Sequence, residues 1–113
     1  MSKRIGFKTN IDEDLVREIK IAATIGEIDV NDILEPVIEN YLNPEANFRE
    51  KILYRILTKK ARNNTYSYEI CRMVLKLEEE AFNSLLKELQ EKECITLDGK
   101  NISITDKGKA QGF

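Results

Sequence analysis

The chain has 113 residues, of which 42% are hydrophobic and 34% are charged, with 18 Lys and Arg against 20 Asp and Glu. This length suits one ordinary domain or two very small ones. No apolar run approaches the roughly 20 residues that a membrane span needs, and no apolar signal segment opens the sequence. The chain contains no His and two Cys, and its five Gly form no phosphate-binding loop. Composition therefore predicts a cytoplasmic protein with no catalytic residues, no metal and no cofactor.

Positive charge is concentrated in two parts of the chain. Residues 1–10 carry three bases and no acid, and residues 46–76 carry eight bases against two acids. The segments between and after them are acidic, with ten acids against two bases in 11–45 and six against two in 77–95. Such segregation can hide a basic face inside a near-neutral total. The second basic block is equally compatible with a solvated helix surface.

Residues 4–11 alternate between apolar and polar positions. One side of this segment carries Ile5, Phe7, Thr9 and Ile11, and the other carries Arg4, Gly6, Lys8 and Asn10. A period of two over eight residues predicts a strand with one buried face. Because so short a strand cannot stand as an isolated edge, we expect two copies of the chain to pair their strands into an antiparallel ribbon.

Two helices follow this strand. Asp12 begins the first, its apolar residues recur at helical spacing over 15–23, and Gly26 is its expected C-cap. Asp29 is the expected N-cap of the second helix, with Asp32 placed to reach back to it. The apolar stripe of the second helix comprises Ile33, Leu34, Val37, Ile38 and Tyr41.

A proline and a linker mark the end of this first unit. Pro36 lies inside the second helix, where proline removes a hydrogen bond and usually kinks the chain. The Asn43-Pro44 pair ends the helix. The sequence thus divides into a unit spanning 1–43 and a second unit spanning 47–113.

Residues 3–42 resemble a ribbon-helix-helix domain of the kind found in small phage and plasmid repressors. The likeness rests on the alternating strand, the acidic start of the first helix, LVREIKIAA (15–23), the Gly-containing turn and ILEPVIENYL (33–42). In that family the ribbon lies in the DNA major groove, and its outward side chains read bases. The implied base contacts are Lys8, Asn10 and Arg4, with Gly6 allowing close approach of the backbone.

The same resemblance implies phosphate contacts and a dimer interface. The N-terminus of the second helix docks on a phosphate through the amides around Asp29, Val30 and Asn31, although Asp29 itself fits a cap better than a contact. Lys3 would hold a phosphate, as Arg4 also can. The implied dimer interface consists of Ile5, Phe7, Thr9, Ile11, Ile33, Val37 and Tyr41.

The second unit reads as three helices and a β-hairpin. An amphipathic helix runs from Phe48 to about residue 62, a short helix follows a cap at Thr65 or Ser67, and a third spans about 79–92. Asp98-Gly99 then provides a hairpin turn. This unit resembles a winged helix, most closely in SYEICRMVLKL (67–77), LLKELQEKECI (85–95) and ITDKGK (104–109).

The sequence leaves three interpretations of the second unit open. Its third helix presents acids from Glu78 to Glu80, which oppose docking on DNA. Lys59, Lys60 and Arg62 nevertheless offer phosphate contacts along the DNA backbone. The unit could read a groove, contact a protein or join dimers along DNA, or simply pack.

The fold class expected from the sequence is mainly α with short β, a dimeric ribbon-helix-helix followed by a winged helix. The implied function is a homodimeric double-stranded DNA-binding regulator, such as a transcriptional repressor or a plasmid or viral copy-control or partition protein, with possible higher-order assembly on DNA. The alternative is an adaptor or antitoxin-like protein whose winged helix binds a partner protein. An enzyme is not expected, because His, a paired-carboxylate motif and a nucleotide loop are all missing. Cys71 and Cys94 fall at apolar positions and are expected to be small buried hydrophobes.

Overall fold

The computed structural model describes residues 3–6, 8–59 and 65–112, and in these ranges the chain is mainly helical with a small antiparallel sheet. Its helices are α1 (Glu13–Gly26), α2 (Asn31–Leu42), α3 (Phe48–Lys59), α4 (Tyr68–Leu75), α5 (Glu79–Glu91) and α6 (Asp106–Gly112). Its strands are β1 (Thr65–Ser67), β2 (Ile95–Asp98) and β3 (Asn101–Ile104), and β3 lies between the other two. No helix in the described ranges combines the length and apolarity needed to cross a membrane.

Helix α1 begins as the sequence predicts but ends differently. The Asp12 carboxylate accepts hydrogen bonds from the backbone N–H groups of Asp14 and Leu15, at 2.8 and 3.4 Å. The left-handed C-cap is Glu27, with φ of 54°, so the prediction that Gly26 caps the helix is wrong. Gly26 is instead buried within α1, where a Cβ atom would lie 3.1 Å from Cγ2 of Val74. The glycine therefore serves the close packing of α1 on α4.

Helix α2 begins one residue later than expected. Val30 occupies the N-cap position without a side-chain cap, but the predicted reach-back is present, because the Asp29 N–H donates to Oδ2 of Asp32 at 3.0 Å. Pro36 lies inside the helix and is buried. It has no N–H to donate to the carbonyl of Asp32, and its ring instead adds apolar surface to the core.

The predicted strand over 4–11 is not present in the described residues of the single chain. Residues 3–6 and 8–12 form no helix or strand, and Phe7 lies outside the described residues. The physical reason is that a strand is defined by ladder hydrogen bonds to a neighbour, and no described segment of the same chain pairs with this one. We refer to residues 3–12 as the arm.

The C-terminal elements largely follow the sequence prediction. Asn47 caps α3 by accepting from the N–H groups of Arg49 and Glu50, and Gly99 takes φ of 62° in the hairpin turn. Two elements were not foreseen. Strand β1 pairs with β3 in the register Thr65↔Ser103, and α6 packs against α3.

Both predicted units contribute to one core. Ala22, Ala23 and Ile33 of the first unit belong to the same buried cluster as the apolar residues of α3, α4 and α5. Helix α1 packs on α4 and α2 packs on α3, whereas α1 and α2 contact each other much less. The two units are therefore joined by packing contacts as well as by the linker.

Candidate nucleic-acid interface

The arm presents its predicted DNA-reading residues to solvent. Lys3, Arg4, Gly6, Lys8 and Asn10 are all exposed, and a Cβ atom built on Gly6 would meet nothing within 4 Å. Ile5 and Ile11 are exposed as well, at 82% and 52%. The arm therefore carries three cations and an amide, and it leaves these two apolar side chains largely uncovered.

Arg4 is engaged within the chain. Its Nη1 donates to Oε2 of Glu35 on α2 at 2.6 Å, and Arg55 of α3 donates to Oε1 of the same carboxylate at 2.8 Å. The hydrogen bond from Arg4, followed by that from Arg55, lowers the pKa of Glu35, and the reciprocal bond raises the pKa of Arg4. In this arrangement Arg4 must exchange Glu35 for DNA before it can contact a base or a phosphate.

Two groups of predicted phosphate contacts meet at the start of α2. Nζ of Lys59 lies 3.2 Å from Oδ2 of Asp29 and 2.9 Å from Oδ2 of Asp32, next to Val30 and Asn31. These carboxylates, Asp32 first, raise the pKa of Lys59. Lys59 and Asp29 lie thirty residues apart in the sequence, and the sequence analysis did not pair them. The charge of Lys59 is compensated here, and Lys60 and Arg62 lie outside the described residues.

Lys59 is the last rung of a ladder of ion pairs between α2 and α3. Lys51 pairs with Glu39, Arg55 pairs with Glu35 and with Asp32, and Lys59 closes the ladder. The basic residues recur at four-residue spacing on α3, which puts them on one face of that helix. Three of the eight bases in the basic block therefore pair across the contact between the two units. The signal that could have revealed it is a row of bases at four-residue spacing on α3, following a row of acids at spacings of three and four on α2.

The implied dimer-interface residues divide into two groups. Ile5, Thr9, Ile11, Val37 and Tyr41 are exposed, with Tyr41 at 84%. Ile33 is instead 9% exposed and belongs to the core of its own chain. Other apolar residues that the implied interface did not include are also exposed, namely Leu15, Ile38 and Leu42.

The outer face of α5 is acidic. Phe82, Leu86 and Leu89 are buried as predicted, and the residues turned outward include Glu79, Glu80, Glu88 and Glu91. Within that helix only Lys87 offsets them. Because DNA binding relies on cations that replace condensed counterions, this face is poorly suited to a groove.

The cysteines behave as the sequence predicts. Both are free thiols and both are buried. Burial raises the pKa of Cys71 to about 12, which keeps it protonated and unreactive at neutral pH.

Comparison with protein-family models, with curated proteins and with solved structures gives no match to this chain.

Proposed function

We propose that the chain is a homodimeric, sequence-specific double-stranded DNA-binding regulator, such as a transcriptional repressor or a plasmid or viral copy-control or partition protein. The observation that carries the proposal is the arm, which exposes Arg4, Lys8 and Asn10 together with Ile5 and Ile11. Two arms that pair antiparallel would satisfy their backbone groups, cover the apolar residues and present the polar ones on one face. A two-stranded ribbon of this kind fits the major groove of DNA.

The sequence positions and side-chain chemistry support specific roles in the ribbon. Lys8 donates to O6 and N7 of guanine, and Asn10 pairs with N6 and N7 of adenine. Gly6 leaves room for the backbone to approach the DNA. The amides of Val30 and Asn31 at the start of α2 supply a phosphate anchor, because the first N–H groups of a helix have no intrahelical acceptor.

The second unit is proposed to be a winged helix that flanks the ribbon. Helix α3, strand β1, helices α4 and α5 and the β2–β3 hairpin follow one another in the order that this fold requires. The ion-pair ladder between α2 and α3 gives the unit a fixed position relative to α2. Its acidic α5 face supports a role in assembly or protein contact on DNA in preference to groove reading.

The test is a random-library DNA selection with the full-length chain, followed by affinity measurements on the enriched site at one fixed salt concentration. We expect a short symmetric motif. Lys8→Ala and Asn10→Ala should each weaken binding about tenfold to a hundredfold, because a good base contact is worth about 1–3 kcal/mol. The matched control is Lys87→Ala, an exposed lysine on α5, which should change affinity less than about twofold.

Two outcomes would contradict the proposal. If Lys87→Ala abolished binding while the arm variants bound normally, α5 would be the reading element. If the full chain enriched no sequence, specific DNA reading would fail.

A second candidate is an adaptor or antitoxin-like protein whose C-terminal unit binds another protein. The acidic outer face of α5 favours it, since a basic protein surface would complement Glu79, Glu80, Glu88 and Glu91. This candidate predicts no enrichment in the DNA selection and a partner whose binding is weakened by Glu80→Lys and Glu88→Lys.

A further inference from the structure

An apolar groove of about 220 Å³ lies where α1, α2, α3 and the end of α4 come together. One wall is formed by Leu15, Ile19 and Val37 of the first unit, and the other by Phe48, Ile52 and Val74 of the second unit. The groove thus runs along the seam between the two units and is lined by both.

The charged residues at the groove are held by neighbours in the same chain. Nε of Arg49 donates to the carbonyl of Leu75 at 3.0 Å, and its guanidinium carbon lies 4.6 Å from the centroid of the Phe48 ring. Lys76 pairs with Glu18 at 3.8 Å. Because Arg49 and Lys76 are engaged in these contacts, they are not placed to bind an anion in the groove. The groove therefore favours an apolar protein surface over a small anion.

The groove continues into exposed apolar surface on the first unit. Leu15 is 63% exposed and Val37 39%, and both line the groove. Further large apolar side chains are exposed on the arm and on α2, namely Ile5, Ile11, Ile38, Tyr41 and Leu42. Soluble monomers rarely expose a contiguous apolar patch larger than a few hundred Å².

The amount of this surface matches what a dimer requires. A large side chain that is half exposed or more offers on the order of 100 Å², and a stable interface takes about 800 Å² from each partner. Six such side chains on the arm, α1 and α2, together with the 39% exposed Val37, approach that range. A second copy of the chain carries the same seven side chains. Each copy can therefore cover the exposed apolar surface of the other.

We propose that a second copy of this chain fills the groove, so that α3 and α4 of the C-terminal unit form part of the dimer interface. The inference rests on the dimer of the proposed function and adds to it. The dimer core is then built from both units, with Leu15 and Val37 on one wall and Phe48 on the other, while Ile52 and Val74, 3% and 6% exposed, already belong to the core of their own chain. The C-terminal unit is consequently needed for dimerisation as well as for any contact that it makes with DNA or with another protein.

The test is sedimentation equilibrium of the full-length chain without DNA, on the wild type and two variants. Phe48→Ser removes a half-buried groove residue at the start of α3, and Met73→Ser removes a 53% exposed residue of α4 that does not line the groove. We expect Phe48→Ser to weaken the dimer at least about tenfold and Met73→Ser less than about twofold. Circular dichroism of each variant checks that the monomer remains folded.

A second measurement uses only the wild type. Amide hydrogen exchange above and below the dimer dissociation constant should show concentration-dependent protection at residues 49–52 and 74–77 as well as in the arm and α2. If protection were confined to the arm, α1 and α2, or if Phe48→Ser dimerised as the wild type does, the inference would be overturned.

The outcomes separate the two proposals. A chain that dimerises through the groove but enriches no DNA sequence would keep this inference and remove the DNA-binding proposal. A chain that binds a symmetric site but shows no groove protection would do the reverse. A wild type that is monomeric at every concentration, with unchanging exchange at the groove, would overturn the inference and assign the groove to another occupant.

Discussion

Gly108 is the position at which we expect the addition of a single methyl group to lower the free energy of unfolding most. A Cβ atom there would lie 2.2 Å from the carbonyl oxygen of Cys94 and 2.7 Å from Cγ1 of Ile104. The first neighbour is backbone and cannot rotate away. Gly108→Ala therefore requires α6 to move by about 1 Å or more from the strand end that it contacts.

The cost follows from what that movement disrupts. Overpacking of a tight contact costs about 1–3 kcal/mol. The hydroxyl of Thr105 donates to the carbonyl of Glu93 at 2.7 Å and accepts from the N–H of Gly108 at 3.1 Å, and weakening these bonds adds about 1 kcal/mol. Replacing glycine in a helix returns about 0.5–1 kcal/mol. The net loss in the free energy of unfolding is roughly 1–3.5 kcal/mol, or a melting temperature lower by about 10 °C.

Thermal and urea unfolding of the full chain measure this loss. The matched control is Ala110→Gly, an exposed position of the same helix. It should cost only about 0.5–1 kcal/mol, since it changes helix propensity alone. If Gly108→Ala melted within about 2 °C of the wild type, the close approach of α6 to Cys94 would be refuted.

Three further predictions concern a helix end, the ion-pair ladder and alkaline stability. Glu93 has φ of 61°, so Glu93→Gly should raise the free energy of unfolding by about 0.5–1 kcal/mol in a urea titration. Asp32→Ala removes a 3% exposed residue that accepts from Asp29 and pairs with Lys59 and Arg55, and it should lower stability by about 2–3 kcal/mol in the same assay. Because the pKa of Cys71 is raised to about 12 from an ordinary 9.0, its contribution is complete below pH 9 and lost as pH rises toward 12, so a pH series of melting temperatures should fall less steeply for Cys71→Ala.

Each of these has a contrary result. Glu91→Gly, at the last helical residue of α5, should lower stability, whereas Glu93→Gly raises it. Equal losses of stability in both variants would show that the left-handed conformation of Glu93 is not the cause. An Asp32→Ala chain as stable as the wild type would mean that the ladder contributes nothing net. Parallel alkaline slopes for Cys71→Ala and the wild type would show that the buried thiol does not drive the decline.

The local features of the fold could be predicted because their causes lie within a few residues. Asp12 caps α1 by bonding to N–H groups two and three residues on, and Gly99 supplies the positive φ of a two-residue turn. The apolar spacing of α5 placed Phe82 and Leu89 inside. The alternation over 4–11 likewise singled out the residues of the candidate site, although the strand it predicts needs a partner that one chain does not contain.

Contacts between distant segments could not be predicted, because no local pattern encodes them. Gly26 looks like a helix cap in sequence and proves to be a packing position only because Val74 lies against it. Arg4 looks free to contact DNA until Glu35 is brought to 2.6 Å. Strand β1 exists only through β3.

The sequence by itself determined where helices α1 to α5 and the hairpin form, because capping, turn geometry and helical periodicity act between neighbours along the chain. Only the tertiary structure decided which charged side chains form ion pairs within the molecule and which face solvent. Lys59 and Asp29 meet because α3 packs on α2, and the groove exists because α1 packs on α4. The electrostatic attraction and dispersion that stabilise those contacts depend on distance in space, which the order of residues does not specify.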